Sequence, residues 1–188
     1  METRDSQVEI ISVHVPKTAG TTMRKCLIQV YGKEKNFLDY KKEQLNQVLS
    51  EINKQNIRVI HGHFQLQKYD GHFLEAKRII WLREPIKRLI SNYWHQITHF
   101  QNRKISHYEV ELEKEKLLNW AKKPNLRNFL SRRYIQKNIE NFWFVGITEF
   151  LREDLTEIQT MLEWPEVEIT QINKHNYPKM YQAFIKSV

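Results

Sequence analysis

Val8-Glu9-Ile10-Ile11-Ser12-Val13-His14-Val15-Pro16-Lys17-Thr18-Ala19-Gly20-Thr21-Thr22-Met23-Arg24-Lys25-Cys26 is the stretch on which the fold turns. Ile10, Ser12 and His14 alternate with Ile11, Val13 and Val15, the pattern of a strand covered on both faces. Pro16 ends that strand. Small and hydroxyl residues follow, and Met23, Leu27, Ile28 and Val30 then recur at helical spacing as far as Gly32. Strand, tight loop and helix aim backbone N–H groups and a helix N-terminus at one point, which is how proteins hold a phosphate. Lys17 adds a positive charge within that loop.

Working outward, Tyr40 to Gln55 reads as a second amphipathic helix, with Leu45, Val48, Leu49 and Ile52 on one face. Ile57-Arg58-Val59-Ile60 reads as a short strand running into His61-Gly62-His63, where glycine permits a sharp turn. Arg78 to Leu82 is a third strand, ending at Arg83-Glu84-Pro85. Proline at a first helical position starts the next helix, whose buried stripe is Ile86, Leu89, Ile90, Tyr93 and Ile97. Helices are expected over Tyr108–Lys122 and Asn125–Tyr134, a fourth strand over Phe142–Gly146 and a long helix over Ile147–Trp164, with Phe150, Leu151, Leu155, Ile158 and Leu162 inward.

Strands alternating with helices imply a small parallel sheet flanked by helices, an α/β fold, in a single domain covering residues 1–188. Ligands of such sheets bind beyond the carboxyl ends of the strands. Three of the four expected strands end in polar clusters: the Lys17 loop, the histidine pair and Arg83. In a parallel sheet these converge on one rim.

The whole-chain totals narrow the partners. The 188 residues are 40% apolar with five Trp, eight Tyr and nine Phe, enough for a folded core. Lys and Arg outnumber Asp and Glu 30 to 22, giving +8, which favours anionic partners or, more plainly, solubility. Cys26 is the single cysteine, so no intrachain disulfide forms. There is no signal-peptide-like apolar run, no membrane-span-length segment and no Asn-x-Ser/Thr site. The expectation is a cytoplasmic protein with no membrane and no nucleic-acid partner, since the basic excess accompanies no nucleic-acid motif. The oligomeric state is not legible.

The Lys17 loop departs from the nucleoside-triphosphate loop G-x-x-x-x-G-K-[ST]: its lysine precedes the glycine and the first glycine is missing. Asp70 and Glu84 are the nearest carboxylates for a magnesium ion, and neither directly follows an apolar strand. An ATP-dependent kinase-like enzyme is therefore disfavoured, and a polyanion-binding module without catalysis is the other alternative. Arg83 with Ser91, about two turns into the following helix, suits a phosphate monoester. On spacing alone, an Arg83–Glu84 surface pair beside a solvated Ser91 is the plainer account.

Taken together, these motifs resemble the sulfotransferases that use 3′-phosphoadenosine 5′-phosphosulfate (PAPS), whose fold is of the P-loop type. Pro16-Lys17-Thr18-Ala19-Gly20-Thr21-Thr22 resembles their 5′-phosphosulfate loop, and Arg83-Glu84-Pro85-Ile86-Lys87-Arg88-Leu89-Ile90-Ser91-Asn92-Tyr93 their 3′-phosphate motif R-[DE]-P-x-x-R-x-x-S-x-Y. His61-Gly62-His63 resembles the histidine motif of the glycan 2-O-sulfotransferase branch, and Phe144 to Glu149 a later family strand. The resemblance covers roughly residues 10 to 162.

It implies that Lys17 and the N–H groups of Thr18, Ala19, Gly20, Thr21 and Thr22 hold the 5′-phosphosulfate, and that Arg83 and Ser91 hold the 3′-phosphate. Arg88, three residues before Ser91, supports that site or pairs with an acid. The implied reaction is in-line sulfuryl transfer to a hydroxyl acceptor, a carbohydrate, anionic or neutral, or a small molecule, with Lys17 at the departing phosphate. A neutral histidine suits removal of the hydroxyl proton at neutral pH. His63 is taken first by motif position, with His61 as its orienter and one of the two packing structurally. No metal is implied. His95 and His99, four apart, have chelating spacing but read more simply as a polar face, and His14 reads as core. Tyr93, Trp94 and Phe100 read as helix packing. Arg127, Arg132, Arg133 and Lys137 form a basic cluster that suits an anionic sugar chain or a solvated face. Residues 64 to 76 and 100 to 141 are the expected acceptor lining.

Overall fold

The computed structural model describes residues 8–41, 43–96, 110–135 and 139–169, with backbone only for 110–114. In chain order the elements are β1 (Ile10–Val13), α1 (Gly20–Tyr31), β2 (Asn36–Asp39), α2 (Leu45–Gln55), β3 (Val59–Gly62), β4 (Lys77–Leu82), α3 (Pro85–His95), α4 (Val110–Ala121), β5 (Phe144–Ile147) and α5 (Leu151–Met161). The five strands form one sheet in the order β2-β3-β1-β4-β5. Every pairing is parallel, with Ser12 and Leu38 both opposite His61 and Ile80 opposite both Val13 and Val145.

Alternation along the strands divides the core in two. Ile11, Val13, Ile60 and Ile80 face Val48 and Ile52 of α2, together with Phe64, Tyr69 and Tyr134. Ile10, Val59, Ile79 and Trp81 face Met23, Cys26 and Leu27 of α1 and Leu155 and Ile158 of α5. Both sheet faces are thereby covered, as parallel sheets require. The Cys26 thiol is free, and burial pushes its pKa up to about 11.

The expected strands are all present, but a fifth, β2, joins them. Asn36-Phe37-Leu38-Asp39 is too short and mixed to show a period of its own. Pairing with β3 creates it, and α2 consequently begins at Leu45, not Tyr40. Asn125–Tyr134 is not a regular α-helix: a 3₁₀ turn at Pro124–Leu126 and a π-helical turn at Ser131–Ile135 bracket it. The Ile147–Trp164 helix splits into a 3₁₀ turn at Thr148–Phe150 and α5, leaving Phe150 58% exposed instead of inward.

The face assigned to α3 also changes. Ile86 is 49% exposed, while Arg88, Ile90, Ser91, Tyr93 and Trp94 are buried. Tyr93 packs against Trp120 of α4 with ring centroids 5.4 Å apart, so the α3 aromatics are packing residues. Ile97, His99, Phe100, Lys137 and the tail beyond Ile169 lie outside the described residues. No described helix is long and apolar enough to cross a membrane.

The topology selects where a ligand belongs. The chain leaves β1 through α1 toward β2 on one side and leaves β4 toward β5 on the other. In open parallel sheets the crevice between two such strands, at their carboxyl ends, is the ligand site.

Candidate active site

Beyond β1, the loop bends through two left-handed residues, Lys17 at φ 71° and Ala19 at φ 62°. Neither is glycine, so the backbone is held in a conformation that L-residues occupy only at a cost of about 1–3 kcal/mol each. The loop closes on itself through the Thr18 hydroxyl, which donates to the Val15 carbonyl at 2.9 Å. Ala19 then caps α1 without any side-chain acceptor, and no acidic residue stands in the first helical turn. The N–H groups of that turn therefore keep their positive end for an external acceptor.

Arg83, at the end of β4, reaches this loop. Its Nη1 donates to the Lys17 carbonyl at 3.4 Å, and its Nε lies 3.5 Å from Glu149 Oε1. Burial lowers the Lys17 pKa, and the Arg83 guanidinium lowers it further. The expected Arg83–Glu84 surface pair does not form. Glu84 instead caps α3, accepting from Ile86 N at 2.9 Å and Lys87 N at 2.6 Å. Asp70, the other carboxylate considered for magnesium, lies 3.8 Å from Arg78. Among the described residues no three His, Cys, Asp or Glu side chains are gathered as metal ligands.

Ser91 is 1% exposed, not solvated, and shares the buried face of α3 with Arg88, which is 3% exposed. The Arg88 guanidinium lies over the Phe129 ring, 4.6 Å from its centroid, while its Nε and Nη1 have no hydrogen-bond partner among the described residues. Burial lowers its pKa; the hydroxyl of Tyr134 favours its charge and Arg83 opposes it. A buried guanidinium without a carboxylate beside Arg83 is strongly disfavoured unless an anion joins it.

The histidines lie on the other side of the loop. His61 is 1% exposed, with Nδ1 2.9 Å from Ser12 Oγ. Burial first, then the positive Arg24 and the neighbouring His63, push its pKa down to about 3, which the Gly20 carbonyl offsets only in part. His61 is thus the packed member of the pair. His63 reaches solvent, and its Nδ1 lies 2.6 Å from the His14 carbonyl. A carbonyl only accepts, so in the neutral ring Nδ1 carries the proton and Nε2 keeps its lone pair. Burial lowers the His63 pKa, the His14 carbonyl opposes that, and Arg133 adds to it.

Sequence reasoning missed three members of this cluster. His14, taken as core, lies just past β1 with Nδ1 2.8 Å from the Tyr40 hydroxyl and its ring centroid 4.2 Å from that of His63. Tyr40 stands edge-on to His63 at 4.9 Å. Arg24, in α1, places a positive charge near His14, Tyr40 and His61. The period-2 pattern of β1 did carry a clue: a histidine in line with Ile10 and Ser12 one step before the loop stands at the rim. For Tyr40 there was none, because β2 itself was not legible.

The buried His61 predicts acid lability. Its pKa falls on folding, so below about 6.5 the unfolded chain binds a proton that the folded chain refuses, and stability drops as pH falls toward about 3. The expected slope is on the order of 1.4 kcal/mol per pH unit from His61, and His14, whose pKa burial pushes down to about 2, adds a similar slope over the same range. Urea titrations between pH 7 and 4 should show it, with His61→Gln removing about half of the slope and leaving the His14 share; an unchanged slope in that variant would place the acid sensitivity elsewhere.

A crystal structure of a sulfotransferase from Alicyclobacillus acidocaldarius superposes with a TM-score of 0.51 at 15% identity, over 96% of this chain and 90% of that one. A crystal structure of mouse sulfotransferase SULT7A1 complexed with PAP matches 96% of this chain and 64% of that one, at 15% identity and a TM-score of 0.46. No curated protein sequence matches the chain significantly. The model of the sulfotransferase family matches residues 3–187, essentially the whole sequence. With that match, and with a parallel sheet whose first loop is shaped for a phosphate, this chain belongs to the sulfotransferase family.

Proposed function

We propose that the protein transfers a sulfuryl group from PAPS to an acceptor hydroxyl, with His63 as general base. The observation that carries this reading is the 2.6 Å contact between His63 Nδ1 and the His14 carbonyl, which leaves Nε2 unprotonated at the rim beside the Lys17 loop. The cations of the rim fit a donor with two anionic ends. Lys17 and the N–H groups from Thr18 to Thr22 suit the 5′-phosphosulfate. Arg83 and Ser91 suit the 3′-phosphate, and the uncompensated Arg88 beneath them is relieved by the same anion.

The donor, when bound, supplies the sulfuryl group and a 5′-phosphate leaving group. The chain's residues do the rest. Nε2 of His63 takes the hydroxyl proton as the acceptor oxygen bonds to sulfur and the bond from sulfur to the phosphate oxygen breaks. Lys17 and the start of α1 stabilise the charge left on that phosphate. Neutral His61 and His14 hold the base without competing for its proton. The acceptor is a carbohydrate or small molecule, and Arg133 beside His63 favours one bearing a negative charge. The histidine pair supports the glycan 2-O-sulfotransferase-like reading of this site.

Calorimetric titration tests the donor. The product nucleotide 3′-phosphoadenosine 5′-phosphate is expected to bind without magnesium and at least about tenfold more tightly than AMP, equal to about 1.4 kcal/mol for the extra phosphate. Equal affinities would remove the 3′-phosphate assignment of Arg83 and Ser91. A magnesium requirement with preference for ATP would instead favour a kinase-like enzyme.

A further inference from the structure

The histidine pair of the sequence, His61 and His63, is not the pair that meets at the rim. The imidazole facing His63 is His14. Its ring centroid lies 4.2 Å from that of His63 and 5.2 Å from that of His61, with which it is stacked. On its other edge it lies against the start of α1: a Cβ built on Gly20 would fall 1.8 Å from His14 Cδ2 and 2.0 Å from Nε2. No side chain fits at position 20 while His14 is in place. One residue therefore touches the phosphate loop with its ring edge, the base with its ring face, and the base again through its own carbonyl.

Tyr40 completes the arrangement. Its hydroxyl meets His14 Nδ1 at 2.8 Å, and its ring is edge-on to both His63 and His61, at 4.9 and 6.1 Å. Burial pushes the Tyr40 pKa up to about 12, so it stays a neutral phenol. Burial, then His61, His63, Arg24 and Lys17, push the His14 pKa down to about 2, so its imidazole is neutral too. A charged neighbour at this distance would strip His63 of its basicity, whereas a neutral ring only excludes water.

We propose that His14, held by Tyr40, is a positioning residue for sulfuryl transfer: a neutral wedge that sets His63 against the phosphate loop at Gly20 and shields its ring from water. The inference rests on His63 as the base. Among the described residues, the titratable and charged groups around the pair are Lys17 from the loop after β1, Arg24 from α1, Tyr40 after β2, His61 on β3 and Arg133 from the π-helical turn.

Histidine NMR on the intact chain, with 3′-phosphoadenosine 5′-phosphate as the binding probe, tests this without an identified acceptor. In the unmodified protein His63 is expected as the Nδ1–H tautomer with a pKa below about 6.5. His14→Ala should raise that pKa by about half a unit or more, by admitting water to the ring. Tyr40→Phe, which removes one hydroxyl and leaves the ring stack, should move it the same way by less. Affinity for the probe should stay within about twofold in both. A His63 titration unchanged in both variants would overturn the proposal. So would a tenfold loss of probe affinity with that titration unmoved, which would confine His14 to the donor loop. An Nε2–H tautomer in the unmodified protein would instead sink the base assignment itself, whatever the variants do.

Discussion

His63→Ala is expected to lower sulfuryl transfer by about 10²–10⁴-fold, the usual contribution of a positioned general base, while leaving affinity for 3′-phosphoadenosine 5′-phosphate within about twofold. The two effects separate because the residue does one job. Its Nδ1 is committed to the His14 carbonyl, which leaves Nε2 as the proton acceptor, so its loss removes the base. The groups taken to hold the donor, Lys17 in the loop and Arg83 and Ser91 on its other side, stay where they are. Transfer is measured as sulfate uptake from labelled PAPS into hydroxyl acceptors, and affinity by calorimetry. Undiminished transfer would take the base away from His63. His61 would not inherit the role readily, since it is 1% exposed and held neutral down to about pH 3.

Gly62→Ala is expected to destabilise the fold by on the order of 3 kcal/mol, at the upper end of ordinary overpacking. Sequence reading gave Gly62 a sharp turn to make, but it lies in β3 without a positive φ. Its absent side chain serves a different purpose: a Cβ there would fall 1.9 Å from the Asp39 carbonyl oxygen. That oxygen is backbone and accepts from His63 N at 3.0 Å, so it cannot swing away as a side chain would. The Asp39 carboxylate is itself fixed, accepting from Lys68 Nζ at 2.7 Å and the Tyr69 hydroxyl at 2.8 Å. Parting β2 from β3 displaces His63 and Tyr40 together. The variant should therefore lose stability, read as a lower urea midpoint, and lose transfer even where it remains folded. An unfolding free energy within about 0.5 kcal/mol of the parent would show that β2 gives way freely, contrary to this packing.

The loop and the strands that feed it were legible because their signals are local. Pro16 and the small residues after it announce a strand-to-helix turn, and Pro85 announces the start of α3. The faces of short elements were less so. Arg88 occupies a buried position of α3 where charge argues for solvent, and Ile86 is exposed where apolarity argues for the core. Helical period alone places a stripe; which side of it meets protein depends on what α3 packs against. Phe129, lying over the Arg88 guanidinium, comes from the irregular stretch between Pro124 and Ile135, which carries no period to read.

The sequence by itself determined the fold class, the strand-to-helix loop at Lys17, Arg83 just beyond β4 and the two histidines at the end of β3, because each is a residue type at a fixed step from a proline, a glycine or an apolar run. It also implied that the ends of those strands converge on one rim of a parallel sheet, without giving the strand order. Only the tertiary structure decided which histidine is buried and which one faces His63. Those choices depend on the register that sets Ser12 opposite His61, and on the approach of β2 that brings Tyr40 to His14. They are contacts between residues far apart in the chain, made by sheet pairing, and no local pattern encodes them.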